Sequence, residues 1–95
     1  MRRITNPRSP VLAAFGRLLR EAREDARLSQ SELMLRLGKV GHARLSHWER
    51  GMHDPGIETL LLLAAALGVA PEDLLPDPAP FAPGSQETAA PRPRE

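Results

Sequence analysis

A run of basic and imidazole side chains lies near the middle of the chain, between residues 42 and 50. It comprises His42, Arg44, His47 and Arg50. These groups donate hydrogen bonds and carry or can acquire positive charge, so they suit phosphates and the acceptor atoms of base edges. Leu45 and Trp48 are three residues apart and therefore share one face of a helix. The run predicts a short helix with a core-facing apolar side, including Trp48, and an outer side suited to nucleic acid.

Catalytic or metal-binding chemistry is not indicated by these residues. His42 and His47 are five residues apart and point to different sides of a helix, and the chain has no Cys to complete a metal site. No Ser or Asp lies beside a positioned base, and no phosphate-binding loop is present. We therefore predict no enzyme activity, no metal and no cofactor. Solvated surface remains the alternative role for both histidines.

A second short helix is predicted directly before this one. Ser29 and Glu32 have the spacing of a capping box, in which each side chain satisfies a backbone N–H group of the other residue. Gly38 can end the helix in the left-handed conformation. Two helices this short are not stable alone, so the rest of the chain must hold them. Their arrangement is that of a helix-turn-helix, in which the second helix enters the major groove.

The remaining elements are also predicted to be helical. Pro10 suits the first position of a helix that runs to about Arg27, with Arg17, Arg20 and Arg23 on its solvent side. Later helices are predicted from about Ile57 to Gly68 and from Pro71 to Leu75. The fold class is therefore all-α, a compact five-helix domain spanning residues 11–75.

Composition and charge divide the chain into three parts. Residues 1–10 form a basic arm, predicted to be flexible, with three arginines and no acid, whereas the net charge of all 95 residues is only +1. Residues 76–95 are rich in proline and are predicted to be disordered. The absence of Cys, of a signal peptide and of an apolar run of about 20 residues predicts a cytoplasmic protein that does not enter a membrane.

A set of short motifs, in order from Phe15 to Leu75, resembles the lambda-repressor-like DNA-binding domain of the XRE/Cro family. The motifs are Arg20 with Arg23, Leu28-Ser29-Gln30, Glu32-Leu33, Leu37-Gly38, Leu45-Ser46, Trp48-Glu49-Arg50-Gly51, Pro55, Glu58-Thr59-Leu60, Ala66-Leu67-Gly68-Val69 and Asp73-Leu74-Leu75. The resemblance implies a transcriptional regulator that binds double-stranded operator DNA as a homodimer, and a repressor in preference to an activator.

The resemblance and the residue chemistry together give candidate contacts. Base edges are assigned to His42, Ala43, Arg44 and His47, of which Arg44 can also reach the backbone. Backbone phosphates are assigned to Gln30, Arg36, Lys39 and Arg50, and to Arg2 and Arg3 of the arm. Glu49 is assigned a structural role, tying the reading helix to the preceding helix or to a nearby arginine.

Some positions depart from the family pattern. Met34 stands where relatives usually have Ala, and Lys39 resembles an insertion before the reading helix, so the base contacts could be displaced by one residue. Leu18, Leu35, Leu62 and Ala65 stand where relatives usually have polar residues, and Leu62, Ala65 and Val69 share one face of the fourth predicted helix. With Leu75 they predict the dimer interface.

A second function stays open at this point. The modest charge and the surplus surface leucines also suit a protein-interaction module or an antitoxin-type module. Such a module would bind a protein partner through the exposed leucines or the tail.

Overall fold

Four α-helices and two single 3-10 turns make up the part of the chain that the structure, a computed structural model, describes, namely residues 9–39 and 41–81. The helices are α1 (Pro10–Asp25), α2 (Gln30–Arg36), α3 (Ala43–Glu49) and α4 (Ile57–Leu67), and the turns are Pro71–Leu74 and Ala79–Phe81. The predicted all-α class is confirmed. The fifth helix is instead a 3-10 turn, in which Leu75 N–H bonds to Glu72 O over three residues because Leu75 is already extended.

Helix α1 begins and ends at recognisable signals. The Ser9 side chain accepts a hydrogen bond from Leu12 N–H at 3.0 Å, and Pro10 occupies the first helical position. The helix ends at Asp25, two residues earlier than predicted, because Arg27 adopts a left-handed φ of 61°. The arm before Ser9, with Arg2 and Arg3, lies outside the described residues.

The predicted capping box of α2 is confirmed. Ser29 Oγ accepts from Glu32 N–H at 3.0 Å, and Glu32 Oε1 accepts from Ser29 N–H at 2.7 Å. The bond from the Ser29 backbone, followed by that with its side chain, lowers the pKa of Glu32 below its ordinary value. At the other end, Gly38 has a φ of 77° and Lys39 N–H bonds to Met34 O at 2.9 Å. The capping box at its beginning and the reversal at Gly38 therefore delimit α2 as a separate helix.

One apolar core joins the four helices and the first 3-10 turn. Helix α1 packs against α3 and against the first 3-10 turn, and α4 packs against that turn and α2. The largest fully buried side chains are Leu19, Leu33, Leu45, Leu63 and Leu74. The core thus holds the two short helices of the motif between α1 and α4. None of the described helices is long and apolar enough to cross a membrane.

The beginning of the predicted tail has local structure. Asp77 Oδ1 accepts from Ala79 N–H at 3.0 Å, and Phe81 N–H bonds to Pro78 O at 2.9 Å, closing the second 3-10 turn. Phe81 is half-buried and lines a groove with Val11 and Leu75. Residues 76–81, predicted to be disordered, therefore return towards the start of α1, and residues 82–95 lie outside the described part.

Candidate nucleic-acid interface

Helix α3 divides sharply into a buried and an exposed side. Leu45 is 0% exposed and Trp48 is 5% exposed, which confirms the predicted core role of Trp48. His42, Ala43 and Arg44 are exposed at the beginning of the helix. The amino-terminal half of α3 therefore offers three side chains to a ligand while its inner side fixes the orientation of the helix.

An ion pair with largely buried side chains anchors the other end of α3. Arg23 Nε donates to Glu49 Oε2 at 2.6 Å and Arg23 Nη2 donates to Glu49 Oε1 at 3.1 Å. The remaining terminal nitrogen of Arg23 donates to Leu28 O at 2.8 Å. Hydrogen bonding to the Glu49 carboxylate raises the pKa of the Arg23 guanidinium, opposed in part by burial. Because Arg23 turns inward, its predicted place on the solvent side of α1 is wrong.

Glu49 also joins α3 to the beginning of α2. Gln30 Nε2 donates to Glu49 Oε1 at 2.9 Å, so one carboxylate receives donors from both α1 and α2. The structural role predicted for Glu49 is confirmed. Glu49 ties α3 both to the preceding helix, through Gln30, and to a nearby arginine, Arg23. The Gln30 side chain is consequently held at a fixed distance from α3.

Gly16 brings α1 and α3 together without an intervening side chain. A β-carbon at this position would overlap the Glu49 carbonyl and would lie 2.7 Å from the carbonyl oxygen of Trp48. Gly16 is buried within α1, where alanine would otherwise be favoured. Sequence reasoning missed Gly16, and the only signal was a glycine inside an amphipathic helical pattern.

Comparison with known proteins identifies this arrangement. The helix-turn-helix family profile matches residues 19–74, more than half of the chain. The chain belongs to the XRE-type helix-turn-helix family. Membership makes it a DNA-binding transcriptional regulator, in agreement with the resemblance of its motifs. No curated protein matches the chain.

Solved structures of two regulators resemble this XRE-type chain. It is 34% identical to the restriction-modification controller protein C.AhdI from Aeromonas hydrophila, with a TM-score of 0.63, over 67% of this chain and 96% of that one. It is 33% identical to the clp gene regulator ClgR from C. glutamicum, with a TM-score of 0.63, over 70% of this chain and 86% of that one.

An enzyme contains the same fold as a part of its chain. Hydroxypropylphosphonic acid epoxidase from S. wedmorenis is 27% identical to this XRE-type chain, with a TM-score of 0.65. The match covers 73% of this chain but only 36% of the epoxidase. The helix-turn-helix fold is therefore also found as a module within a larger protein of another class.

Met34 and Lys39, the two positions predicted to depart from the family pattern, lie close together. Met34 is 2% exposed and lines a groove with Lys39, Gly41 and the first residues of α3. Lys39 N–H is bonded to Met34 O, and Gly41 adopts a φ of 89°. The turn between α2 and α3 thus contains two glycines in the left-handed conformation, Gly38 and Gly41.

The three cations on α2, α3 and the turn between them that were predicted to contact DNA phosphates differ in their surroundings. Lys39 is exposed. Arg36 Nη1 donates to Ala66 O at 2.9 Å, linking α2 to α4. Arg50 Nε lies 3.4 Å from Ser46 O. Arg36 therefore has a structural contact that the sequence did not suggest.

The predicted dimer residues divide into exposed and packed members. Leu62 and Leu75 are 53% and 46% exposed, and Ala65 is exposed. Val69 lies beyond the end of α4 and packs against the core, so its placement on the exposed face of the helix is wrong. Leu61 and Ile57 are 49% and 71% exposed. They extend the apolar face of α4, which sequence reasoning did not predict.

Proposed function

We propose that this regulator reads operator half-sites with α3 and acts as a repressor in the form of a homodimer. The observation that carries the proposal is the division of α3, whose inner side is fully buried and whose outer amino-terminal half is exposed. A helix held in this way fits the major groove of B-DNA, which is about 12 Å wide. The proposal assigns no catalytic step and no cofactor, and it places the protein in the cytoplasm.

Base edges are read by His42, Ala43, Arg44 and His47. Arg44 is exposed and can donate two hydrogen bonds to the O6 and N7 atoms of guanine, the commonest specific contact in the major groove. The Ala43 methyl group suits contact with a thymine methyl group. Specificity in this proposal rests on Arg44 and His47, since their side chains have directional donors.

Backbone contacts set the position of α3 on the duplex. Gln30 suits this role because Glu49 holds its side chain beside α3. Lys39 and Arg50 are exposed cations on either side of the reading helix, and Arg36 adds a cation near the end of α2. Arg2 and Arg3 supply positive charge from the arm. Phosphate contacts of this kind position a protein without reading sequence.

Selection from a random duplex pool, followed by binding assays at two salt concentrations, tests the proposal. Arg44→Ala is expected to cost about 1–3 kcal/mol on the selected duplex and to relax its sequence preference. Gln30→Ala is expected to weaken binding to selected and random duplexes alike, and wild-type affinity is expected to fall steeply with salt.

Equal losses on selected and random DNA for both variants would contradict the assignment of α3 as the reading helix. Failure to enrich any sequence would contradict sequence-specific binding altogether.

Binding of a protein partner is the second candidate function. It is favoured by Leu35, which is 64% exposed on α2 and lies outside the α4 face. The match to part of an epoxidase also supports this candidate, because it places the same fold in a protein with another activity. An antitoxin-type role would use the exposed leucines or the tail. Binding to DNA that is weak, unselective and insensitive to Arg44→Ala would favour this candidate.

A further inference from the structure

An apolar groove lies where the beginning of α1 meets the residues that follow the first 3-10 turn. Val11 of α1 lines it together with Leu75, Phe81 and the two prolines between them that face it. Val11 and Leu75 are 41% and 46% exposed, and the groove has a volume of about 770 Å³. Pockets that hold small ligands have volumes of about 300–1,000 Å³. The groove is therefore large enough to hold side chains that the described residues do not supply.

The charged groups beside this groove are acidic. Glu72 and Asp77 line it, and Asp54 lines a smaller apolar groove that adjoins the first at Val11 and Leu75. Among the described residues, no lysine, arginine or histidine lines either groove. The Asp77 carboxylate accepts a hydrogen bond from the backbone two residues later, which holds it at the edge of the groove. The surface therefore suits a segment that combines an apolar side chain with positive charge.

The basic arm at the start of the chain provides such a segment. Residues 1–8 contain three arginines, no acid and the apolar Ile4. They lead directly into Ser9, which caps α1 only two residues before Val11. A short covalent connection gives a segment a high effective concentration at a neighbouring site, so even a weak contact is populated.

Length and charge favour this arm over the other end of the chain. Ile4 lies seven residues before Val11, and a stretch of that length can span roughly 20 Å when extended. Ile4 can therefore reach the groove. Residues 82–95 also begin beside the groove, directly after Phe81, but their two arginines are balanced by two glutamates. Because a segment without net charge gains little from acidic neighbours, charge complementarity selects the arm as the occupant.

We propose that the basic arm docks in this groove and that docking competes with DNA for the arm. Ile4 packs against Val11 and Phe81, and the arginines of the arm lie beside the carboxylates of Glu72 and Asp77. A docked arm cannot contact phosphates, so only the fraction of chains with a free arm binds DNA with full affinity. The groove is thus an autoinhibitory site.

The strengths of the two contacts decide which one the arm makes. Exposed ion pairs with two carboxylates are each worth at most about 1 kcal/mol, whereas a duplex carries a negative charge for about every 1.7 Å of its length. DNA therefore displaces the arm, and docking lowers the affinity without preventing binding. The competition rests on the proposed function, because it needs the arm to contact DNA, whereas docking in the free chain does not.

Fluorine NMR on the free full-length chain tests docking directly. The chain has two phenylalanines, so labelling with fluorophenylalanine gives one signal for Phe81 and one for Phe15, which is 4% exposed. Ile4→Ser is expected to shift the Phe81 signal and not that of Phe15, because it removes the apolar contact but no charge. Ile4→Val is the matched control and should keep both wild-type signals. The selected duplex, added to the wild-type chain, should shift the Phe81 signal in the same direction as Ile4→Ser.

Fluorescence anisotropy on the selected duplex measures the competition. Ile4→Ser and Phe81→Ser are each expected to lower the Kd about threefold, because they release the arm and keep its arginines. The double variant should gain nothing beyond either single one, since both substitutions remove the same contact. Phe81→Leu keeps an apolar side chain and should retain the wild-type Kd. A variant that failed to fold would bind more weakly, so the expected gain cannot arise from unfolding.

A Phe81 signal that Ile4→Ser leaves in place would overturn docking of the arm. If that signal moved instead with protein concentration, a second copy would cover the groove and the arm would not. An Ile4→Ser variant that shifts the Phe81 signal but keeps the wild-type Kd would overturn the autoinhibition. Wild-type binding that lacks salt dependence and sequence preference would refute the proposed function, whereas the NMR spectra of the free chain would still decide whether the arm docks.

Discussion

At the scale of single residues, Glu49 connects more elements than any sequence motif suggested. Its side chain is only 4% exposed, and that of its partner Arg23 is 12% exposed. Replacing one member of a buried ion pair leaves the other charge without compensation, which is far more costly than losing an exposed pair. The chain contains both kinds of pair, so the difference can be measured directly.

Glu49→Gln is expected to lower the free energy of unfolding by about 3 kcal/mol, because Arg23 stays charged and buried. Glu24→Gln is the matched control, since it breaks the Arg20–Glu24 pair, whose side chains are 63% and 53% exposed. The control should cost less than about 1 kcal/mol. Urea titrations of the two variants give both values, and similar losses would contradict the importance of burial.

Gly16→Ala tests the close approach of α1 to the end of α3. Helix propensity alone would raise stability by about 1 kcal/mol. The β-carbon would instead collide with the Glu49 backbone, so we expect a loss of about 1–3 kcal/mol. Thermal unfolding decides between the two, and a higher melting temperature in the variant would show that the helices can separate at little cost.

Sequence could predict some of these residues and not others, for physical reasons. Trp48 was predictable as core because its spacing from Leu45 repeats on one helical face. Arg23 was not, since its sequence position suits solvent and only the approach of Glu49, 26 residues away, turns it inward. Glu49 was predictable in role but not in partner, because either α1 or α2 could have supplied the donor.

At the scale of elements, each of the four helices is followed by a residue in the left-handed conformation, which is a glycine after three of them. Gly38, Gly51 and Gly68 occupy the left-handed position after α2, α3 and α4, whereas Arg27 occupies it after α1 with a φ of 61°. Arg27 N–H bonds to Glu24 O and Leu28 N–H bonds to Arg23 O, which completes the same cap. A side chain at this position costs about 1–2 kcal/mol.

Arg27→Gly should therefore be more stable than Arg27→Ala by about 0.5–1 kcal/mol, after allowance for the greater freedom of glycine in the unfolded chain. Both variants lose the same charge, so their difference isolates the backbone. Gly68→Ala is the converse control and should be destabilised by a similar amount, since open space surrounds its β-carbon position. Equal stability of the two Arg27 variants would mean that the cap relaxes without strain.

Predicted helix boundaries were accurate where a side chain or a glycine marks them. Ser29 and Gly38 delimit α2 as predicted because caps act locally. The end of α1 and the fifth helix were wrong, since Arg27 gives no signal of its left-handed conformation and Pro71–Leu74 is too short for α-helical bonding. The return of Phe81 towards Val11 depends on distant contacts and could not be read from a proline-rich composition.

At the scale of the whole molecule, the proposed dimer depends on the apolar face of α4. Ile57, Leu61 and Leu62 are each about half exposed or more, and Ala65 lies on the same face with them. The opposite face fills the core with Leu60, Leu63, Ala64 and Leu67. Operator binding by this fold commonly uses two half-sites about 34 Å apart. A second copy on this face would supply the second reading helix.

Leu62→Glu is expected to dissociate the dimer while leaving the helical content unchanged, because it places a charge in an apolar contact outside the core. Leu35→Glu is the matched control, since Leu35 is 64% exposed but lies on α2. Analytical ultracentrifugation and circular dichroism on both variants test this expectation. A monomeric wild type, or a Leu62→Glu variant that stays dimeric, would exclude the α4 interface.

The anchoring of α3 has a consequence for how such regulators diverge. Glu49, Gly16 and the inner side of the helix fix its orientation, and none of them lies on its exposed amino-terminal half. Substitutions at Ala43 and Arg44 therefore leave the supporting contacts intact. Under the proposed reading by α3, new operator preferences would arise by few mutations without compensating changes in the core. The same scaffold would then be re-targeted in the laboratory by exchanging those outer residues alone.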